Sequence, residues 1–356
     1  MKKTTLMHAF SACALLFCAA IAAAAENYPN RPIRMIDPYA AGGSTEAQAR
    51  IIGQQLLAAW KQPVVIDARP GAGSAIGTQI VAKSPPDGHT LLFTNAAFAT
   101  VPNSSKKPLF DPIKDLAPVI QVGSQSLILV AHPSVPDRLS DMLSFAKANP
   151  GKLNFGSAGT AGASHLAMEL FKSMASIDIV HVPYKGSSPS ATALMSGEVQ
   201  LGTFSANSVL PHIRSGKLKA LGVSTLKRAA VLPEVPTIAE AGVPGYEVVQ
   251  WSGIFAPVGT SDAIIRKLNS QIDQILKMPE VRDRFSKLGV DPLKTAVSCP
   301  IAGVAGYGGA MGPAQFIPST WKIFENRLRI ALGYDANPWS PKDAFMASGM
   351  YLTDLG

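Results

Sequence analysis

Two glycine-containing turns are the parts of the chain whose residues could bind a ligand. The first spans Tyr39–Glu46, after a predicted strand at 33–36 and before an apolar helix that runs to about Trp60. Because Gly42 and Gly43 lack a Cβ atom, the backbone there can approach a ligand closely. The first turn of the following helix also has unpaired N–H groups at the positive end of the helix dipole. These features predict a site for a carboxylate or phosphate that needs no cationic side chain.

A second turn repeats this pattern at residues 156–164, which read GSAGTAGAS. It follows a strand-like segment at 153–155 and precedes a predicted helix from His165 to Met174. Two such turns on separate α/β lobes would face each other across a cleft. We therefore expect a cleft that binds a small organic anion and performs no chemistry on it.

Other kinds of site fit the residues less well. Ser44, Ser157 and His165 suggest a hydrolase, but the sequence has no Gly-x-Ser-x-Gly segment to expose the nucleophile. No Cys/His cluster has the spacing of a metal site. The segment Gly71–Gly73 lacks the Lys-Ser/Thr pair of a phosphate-binding P-loop. The sequence predicts a binding protein, not an enzyme, with neither cofactor nor metal.

The elements around these turns alternate between strand and helix. This alternation runs from Arg31 to about Phe93 and resumes in the middle of the chain, which predicts βαβ units and a mostly parallel sheet. The chain then returns to its first half. We predict that residues 26–128 and 224–296 form lobe 1 and that residues 129–223 form lobe 2. Two crossings between lobes form a hinge, and closure around a ligand is the expected motion.

Composition narrows the class of protein. The chain has 356 residues, of which 47% are hydrophobic and 16% charged, which is typical of a globular α/β protein. Its formal charge is +8, or +6 without Lys2 and Lys3 of the predicted signal peptide, and this positive charge helps attract an anion. Because the basic residues are scattered and do not form a patch, we expect no nucleic-acid partner.

The N-terminus predicts export. Lys2 and Lys3 precede an apolar segment at 9–22, and alanines at 23–25 resemble a cleavage site, so residues 1–25 read as a signal peptide. The alternative is an N-terminal anchor helix. After cleavage only Cys299 remains, so the mature chain cannot form an internal disulfide. We expect a soluble periplasmic protein.

Several motifs between about Tyr28 and Leu293 resemble one family. The motifs are PYAAGGST at 38–45, RPGAG at 69–73, PDGHTLL at 86–92, HVPYKG at 181–186, GKLKAL at 216–221 and WSGIFAP at 251–257. They are similar to those of the Bug family, the TctC-type solute receptors of tripartite tricarboxylate transporters. The resemblance implies a two-lobe, type II periplasmic-binding-protein fold, a small carboxylate ligand and a pair of membrane transporter subunits as partners.

The resemblance also implies which residues bind the ligand. In that family, backbone amides and waters of the loops flanking the cleft hold the carboxylates. Carried over to this chain, the ligand-binding positions are Tyr39, Ala41, Gly42, Gly43, Ser44, Ser157, Gly159, Thr160 and His165. Glu46 stands where the family usually has Asp, and its longer side chain is expected to shift a hydrogen bond inside the loop. Like Glu46, Ser205 is also predicted to bind the ligand. It lies near where receptors for acidic amino acids often carry an Asp-Asn pair, whose absence argues against an amino-acid ligand. For His165, packing or helix capping is the alternative role.

The end of the chain resembles a different family. Residues 306–321 (GYGGAMGPAQFIPSTW) and 337–344 (NPWSPKDA) are similar to substrate-cleft segments of lytic murein transglycosylases. We therefore predict a partial, mostly helical transglycosylase-like segment at 297–356, expected to fold poorly or dock weakly. Those enzymes need a glutamic acid upstream of this motif, and the tail has only Glu325, downstream of it. The alternative function is thus peptidoglycan binding or cleavage, with peptidoglycan as partner.

Overall fold

The computed structural model describes residues 27–104 and 107–292. The predicted signal peptide at 1–25 and the transglycosylase-like segment at 297–356 lie outside the described residues. Within the described ranges, no helix is both long and apolar enough to cross a membrane.

The strands and helices follow one another much as the sequence predicts. The strands are β1 Ile33–Asp37, β2 Val64–Ala68, β3 Thr90–Asn95, β4 Leu116–Ala131, β5 Asn154–Ser157, β6 Val180–Pro183, β7 Leu201–Ser205, β8 Lys219–Val223, β9 Val249–Pro257 and β10 Val290–Pro292. The helices are α1 Ser44–Trp60, α2 Ala75–Ala82, α3 Ala97–Thr100, α4 Leu139–Ala148, α5 Ala163–Ala175, α6 Ser187–Met195, α7 Ala206–Arg214, α8 Asp262–Lys277 and α9 Pro279–Lys287.

The strands form two sheets, one in each lobe. The first has the order β2-β1-β3-β9-β4-β10, and the second has the order β8-β4-β7-β5-β6. Strands β1, β2 and β3 are parallel, as are β5, β6 and β7, whereas β4 and β9 pair antiparallel with their neighbours. The parallel sheet that the sequence predicts is therefore found only in the outer part of each lobe, where the turn-and-helix connections occur.

Strand β4 connects the lobes. The sequence predicts separate strands at 119–122 and 127–131, but the two are halves of one 16-residue strand. Its residues through Ser126 pair with β9 in the first sheet, and its residues from Leu127 pair with β7 in the second. Because one extended strand enters both sheets, the two cores share a continuous backbone at the hinge.

The second crossing lies later than the sequence predicts. The sequence predicts that residues 224–296 all belong to lobe 1, yet Ile238 and Tyr246 pack in the same core as Phe171 of lobe 2. The prolines and glycines in this stretch look like a linker, but its apolar side chains fill the second core. The chain returns to lobe 1 at Val249, where β9 begins pairing with β4.

Each lobe has its own core, formed by the apolar face of its helices against its sheet. Helix α8 shows this clearly: Ile264, Leu268, Ile272 and Ile275 repeat at helical spacing and are all buried against the first sheet, as predicted. Ser261 caps this helix by accepting a hydrogen bond from the Ile264 amide at 3.4 Å. The two well-packed lobes thus present their turns to the space between them.

Candidate functional site

The first glycine turn is held by its own carboxylate. Helix α1 begins at Ser44, and its N-cap residue Gly43 provides no side chain to satisfy the first amides. Gly42 has φ +84°, a conformation that glycine adopts at little cost. Its amide donates to Oε2 of Glu46 at 2.5 Å, and Arg50 donates to the other carboxylate oxygen. Although burial opposes ionisation, the Gly42 amide and Arg50 together hold the pKa of Glu46 below its ordinary value.

Side chains close the second glycine turn in a similar way. The amide of Ala158 donates to Ser164 Oγ at 2.9 Å, and the amide of Gly159 donates to Ser157 Oγ at 3.2 Å. The amide of Ala161 donates to His165 Nδ1 at 3.0 Å. These three amides of the turn are therefore used inside it. The donors left for a ligand are those of the first turn of α5, which begins at Ala163.

A pair of stacked imidazoles supports this second turn. The rings of His165 and His181 are 3.9 Å apart, with Phe155 stacked against His181 at 4.9 Å. Burial lowers the pKa of His165 to about 4 and that of His181 to about 3, so both rings are neutral near pH 7 and can accept hydrogen bonds. His181 Nε2 lies 2.6 Å from Ser157 Oγ. Ser157 is almost fully buried and engaged within the turn, which is the environment of a structural hydroxyl and not of an exposed nucleophile.

The lobes touch across the cleft, and each glycine turn meets a different partner. Ser188, at the start of α6, donates to the carbonyl of Ala41 in the first turn at 3.2 Å. The second turn lies against the segment Gly71–Gly73 of lobe 1, and Thr100 donates to the Ala161 carbonyl at 3.0 Å. Both turns line the cleft walls, but they are offset along it and do not oppose each other directly.

A small cavity of about 50 Å³, lined mostly by polar residues, lies at the base of the cleft. Its lining comes from both lobes and consists of Tyr39, Ser44, Thr45, Asn95, Leu127, Ala158, Gly162, Ala163, Ser164, Ser187, Thr203, Phe204, Ser205 and Gln250. We call it the inner cavity. The N-termini of α1, α5, α6 and α7 all reach it, and none of these lining residues is Lys, Arg or His. Amides and hydroxyls at positive helix ends make this a favourable place for a negative charge.

The floor of the inner cavity is a buried hydrogen-bond network centred on Gln125 of β4. Ser44 donates to Gln125 Oε1 at 3.1 Å. The Gln125 Nε2 group donates to Ser205 Oγ at 3.1 Å and to Gln250 Oε1 at 2.8 Å. The network therefore joins the starts of α1 and α7, one in each lobe, through the hinge strands. Buried groups connected in this way stiffen the base of the cleft.

A larger cavity of about 350 Å³ lies beside the inner one. We call it the outer cavity. Its lining residues are Pro38, Tyr39, Gly71, Ala72, Gly73, Ser74, Ala158, Gly159, Thr160, Pro183, Tyr184 and Lys185. Tyr39 and Ala158 line both cavities, so the two are adjacent compartments of one cleft. Lys185 supplies the positive side chain that the inner cavity lacks.

The predicted site residues divide into three groups. Those that line a cavity are Tyr39, Ser44, Gly159, Thr160 and Ser205. Those that lie where the first turn meets α6 are Ala41, Gly42 and Gly43. Those that form hydrogen bonds inside their own turns are Glu46, Ser157 and His165.

Several lining residues escaped the sequence reasoning. The polar ones are Thr45, Asn95, Ser164, Ser187, Thr203 and Gln250. Ser187 follows a glycine at the start of a helix, which is the same signal as in the two turns, and could have been found that way. Asn95 and Gln250 lie on strands, and only the sheet order brings them to the cleft. The described ranges contain no cluster of His, Cys, Asp and Glu that could hold a metal ion.

The chain is similar in sequence and in fold to proteins that are already known. The sequence model of the family described as "Tripartite tricarboxylate transporter family receptor" matches residues 48–298. The solved structure of the periplasmic binding protein BugD has 33% identity and a TM-score of 0.72, over 75% of this chain and 89% of that chain. Rpa4515 of R. palustris, solved with adipate, has 34% identity and a TM-score of 0.73, over 74% and 89%. MatC of Rhodopseudomonas palustris, solved with malate, has 32% identity and a TM-score of 0.70, over 74% and 90%.

The family match extends over well more than half of the chain, and the structural matches share its two-lobe fold. The predicted fold class is confirmed by these matches. Members of this family are periplasmic solute-binding receptors and not enzymes. The chain therefore belongs to the tripartite tricarboxylate transporter family receptors.

Proposed function

We propose that this receptor captures a small organic carboxylate with one carboxylate group in the inner cavity. The observation that carries the proposal is the meeting of four helix N-termini at a cavity lined by hydroxyls and amides but by no Lys, Arg or His. Such a site stabilises an anion through main-chain donors and helix dipoles. The candidate donors are the free amides in the first turns of α1, α5, α6 and α7, since the hydroxyls of Ser44 and Ser205 already donate to Gln125 and Gln250.

The ligand extends from the inner into the outer cavity. The inner cavity, at about 50 Å³, exceeds the roughly 10–15 Å³ that one water molecule needs, so it has room for a group the size of a carboxylate. The rest of the molecule passes Tyr39 and Ala158 into the outer cavity, where Lys185 can meet a second carboxylate. The adipate and malate bound by the two relatives each carry two carboxylates, which supports a dicarboxylate as the first class to test.

The receptor function also implies a location and a partner. We infer that residues 1–25 are removed on export and that the mature protein begins at Glu26 in the periplasm. Closure of the lobes about the hinge of β4 and β9 then presents the loaded form to membrane subunits of a tripartite tricarboxylate transporter. Mass spectrometry of the protein from a periplasmic extract tests the cleavage site, and retention of residues 1–25 would favour an anchor helix.

A panel of mono-, di- and tricarboxylates tests the ligand class by melting temperature and calorimetry. At least one acid should stabilise the wild-type protein. Ser187→Asp places a like charge at the inner cavity and should weaken binding by about tenfold or more. Ser140→Asp, in the exposed first turn of α4, is the matched control and should bind normally. If no acid stabilises the protein, or Ser187→Asp binds as tightly as wild type, the inner cavity is not the carboxylate site.

The end of the chain carries a separate proposal. The family match ends at residue 298, so it lends no support to the predicted transglycosylase-like segment at 297–356. Deleting that segment should leave carboxylate binding unchanged. Wild-type protein incubated with cell walls should release no muropeptides, because the catalytic glutamic acid of those enzymes has no counterpart there. Release that disappears on deletion would instead favour the peptidoglycan alternative.

A further inference from the structure

Asp37 places a buried carboxylate directly behind the inner cavity. It is the last residue of β1 and is completely inaccessible to solvent. The Tyr39 amide donates to its Oδ1 at 3.1 Å, and Thr45 Oγ1 lies 3.0 Å from Oδ1 and 2.9 Å from Oδ2. Tyr39 and Thr45 both line the inner cavity. Asp37 is thus separated from the proposed ligand position by a single layer of residues.

The surroundings of Asp37 offer it no counter-charge. In the described part of the chain it forms no ion pair. The neighbouring strand β2 carries Asp67 and is followed by Arg69, but Arg69 pairs with Asp67 at 2.9 Å, and Arg34 pairs with the same carboxylate. Glu46 on α1 adds a like charge, while β3, α2 and α3 carry no charged residue. Burial raises the pKa of Asp37 to about 7 despite its hydrogen bonds, and Glu46 adds a smaller rise.

The hydroxyl of Thr45 can donate its hydrogen either to the Asp37 carboxylate or to an acceptor in the inner cavity, but not to both. It has a single hydrogen, and while Asp37 is ionised that hydrogen is donated to the carboxylate. When Asp37 is protonated, its own O–H can donate to Thr45 Oγ1. The Thr45 hydrogen is then free to point into the inner cavity. The direction of this hydrogen bond is therefore linked to the proton on Asp37.

We propose that a carboxylate enters the inner cavity together with one proton, which is taken from solvent by Asp37, and that Thr45 then donates its hydroxyl hydrogen to the bound carboxylate. This inference rests on the proposed function of the cavity. An anion bound next to an ionised, unpaired carboxylate is repelled, and protonation of Asp37 removes that repulsion while adding a donor. Asp37 and Thr45 are then residues that set the affinity for anions as a function of pH.

Calorimetry in several buffers measures the proton directly. Adipate, malate and succinate are titrated at pH 7.0 in PIPES, HEPES and Tris, whose different heats of ionisation report the protons taken up. If binding of the acid raises the pKa of Asp37 by one unit or more, wild type should take up about 0.4 proton per bound acid. Asp37→Asn should bind with no uptake, since the amide stays neutral. Asp283→Asn, which removes an exposed carboxylate on α9, should behave like wild type.

A second set of variants isolates the hydroxyl. Thr45→Ser keeps the donor and should retain wild-type affinity. Thr45→Val loses it and should bind several-fold more weakly at pH 6, where Asp37 is protonated. Wild-type affinity should fall as the pH rises from 6 to 8, and that of Asp37→Asn should stay level over the same range. An NMR titration of the Asp37 carboxyl carbon makes the same test in wild type without any substitution. Its midpoint should lie near pH 7 and should move upward when adipate is added.

The outcomes separate the two proposals. Binding without proton uptake in wild type would overturn the Asp37 inference and leave the carboxylate receptor intact. If none of the three acids binds, the proposed site fails and the coupled proton fails with it. Without ligand, wild type should lose stability relative to Asp37→Asn as the pH rises from about 4 to about 7, because only the ionised form is penalised by burial. Parallel profiles over that range would also overturn the inference.

Discussion

Replacing Gly73 with alanine should hold the two lobes apart. Gly73 lies in a short turn of lobe 1 that faces the second glycine turn of lobe 2. A Cβ atom added there would lie 2.6 Å from the carbonyl oxygen of Thr160, whereas ordinary contact begins at 3.4 Å. The contact is therefore too short by about 0.8 Å, and the obstacle is main chain, which cannot rotate away as a side chain can.

The expected loss of affinity follows from where this contact forms. Forcing a methyl group into a packed contact costs about 1–3 kcal/mol. Because Gly73 and Thr160 belong to different lobes, the cost falls on the closed, ligand-bound form, and binding should weaken by about 5- to 150-fold. Gly73 also has φ +67°, which strains an alanine by about 1 kcal/mol in both open and closed forms. That second cost lowers stability without lowering affinity.

Gly216→Ala is the matched control for this strain. Gly216 has φ +71°, and nothing lies within 4 Å of the position its Cβ would take. It should lose a similar amount of stability and bind with wild-type affinity. Calorimetry with the acid that best stabilises the wild type gives the affinities, and X-ray scattering gives the compaction on binding. Equal affinities for Gly73→Ala and Gly216→Ala would refute the idea that this closed arrangement is the binding form.

Three further predictions test the network, the imidazole pair and the outer cavity. Gln125→Leu removes the buried hydrogen bonds that Ser44, Ser205 and Gln250 form with it and should lower the free energy of unfolding by about 2–3 kcal/mol in urea titrations. Gln54→Leu, on the exposed face of α1, should change the free energy of unfolding little, and equal effects of the two variants would show that the network does not stabilise the fold. His165→Leu should weaken carboxylate binding and His165→Asn, whose side-chain oxygen can accept the Ala161 amide, should restore most of it; two equally weak variants would show that the acceptor is unimportant. Because burial lowers the pKa of both histidines from 6.5, the neutral forms stabilise the fold above pH 6.5, and melting temperature should fall as the pH drops from 6.5 towards 4. Lys185→Met should weaken dicarboxylates more than monocarboxylates, while the remote Lys152→Met should affect neither, and a uniform loss would place the second carboxylate elsewhere.

The local signals in the sequence predicted the helix starts well. Helix α1 begins after the first glycine pair and ends at Trp60, as its apolar pattern predicts. The same holds for α8, whose apolar residues repeat at helical spacing. These features depend on residues close together in the chain, so propensity and periodicity are sufficient to find them.

The features that the sequence left undetermined depend on distant pairing. Nothing near Gln125 shows that it will meet Ser44 and Gln250, because that contact requires β4 and β9 to lie side by side. Likewise, the apolar residues between 232 and 246 join lobe 2 only because a second core has space for them. Sequence patterning gives the period of an element but not its partner.

Within the site, the sequence indicated the turns but not what each residue does there. It grouped Ser157 and His165 with the ligand-facing positions, yet their side chains accept hydrogen bonds from amides of their own turn. Thr45 belongs to the predicted first turn, but no signal in the sequence gives its hydroxyl a role. The role of Thr45 depends on its hydrogen bonds with Asp37, and the burial of Asp37 at the end of β1 is seen only in the folded structure.

Amide chemical shifts test most directly whether a carboxylate binds where the helix N-termini meet. Uniformly nitrogen-labelled protein is titrated with adipate, and the backbone amides of Ser44, Ala163, Ser187 and Ala206, one from each helix, are followed. All four amide signals should move downfield together and saturate with the same affinity that calorimetry gives. Saturable binding that leaves these four amides unmoved, with shifts confined to other surfaces, would show that the carboxylate binds elsewhere.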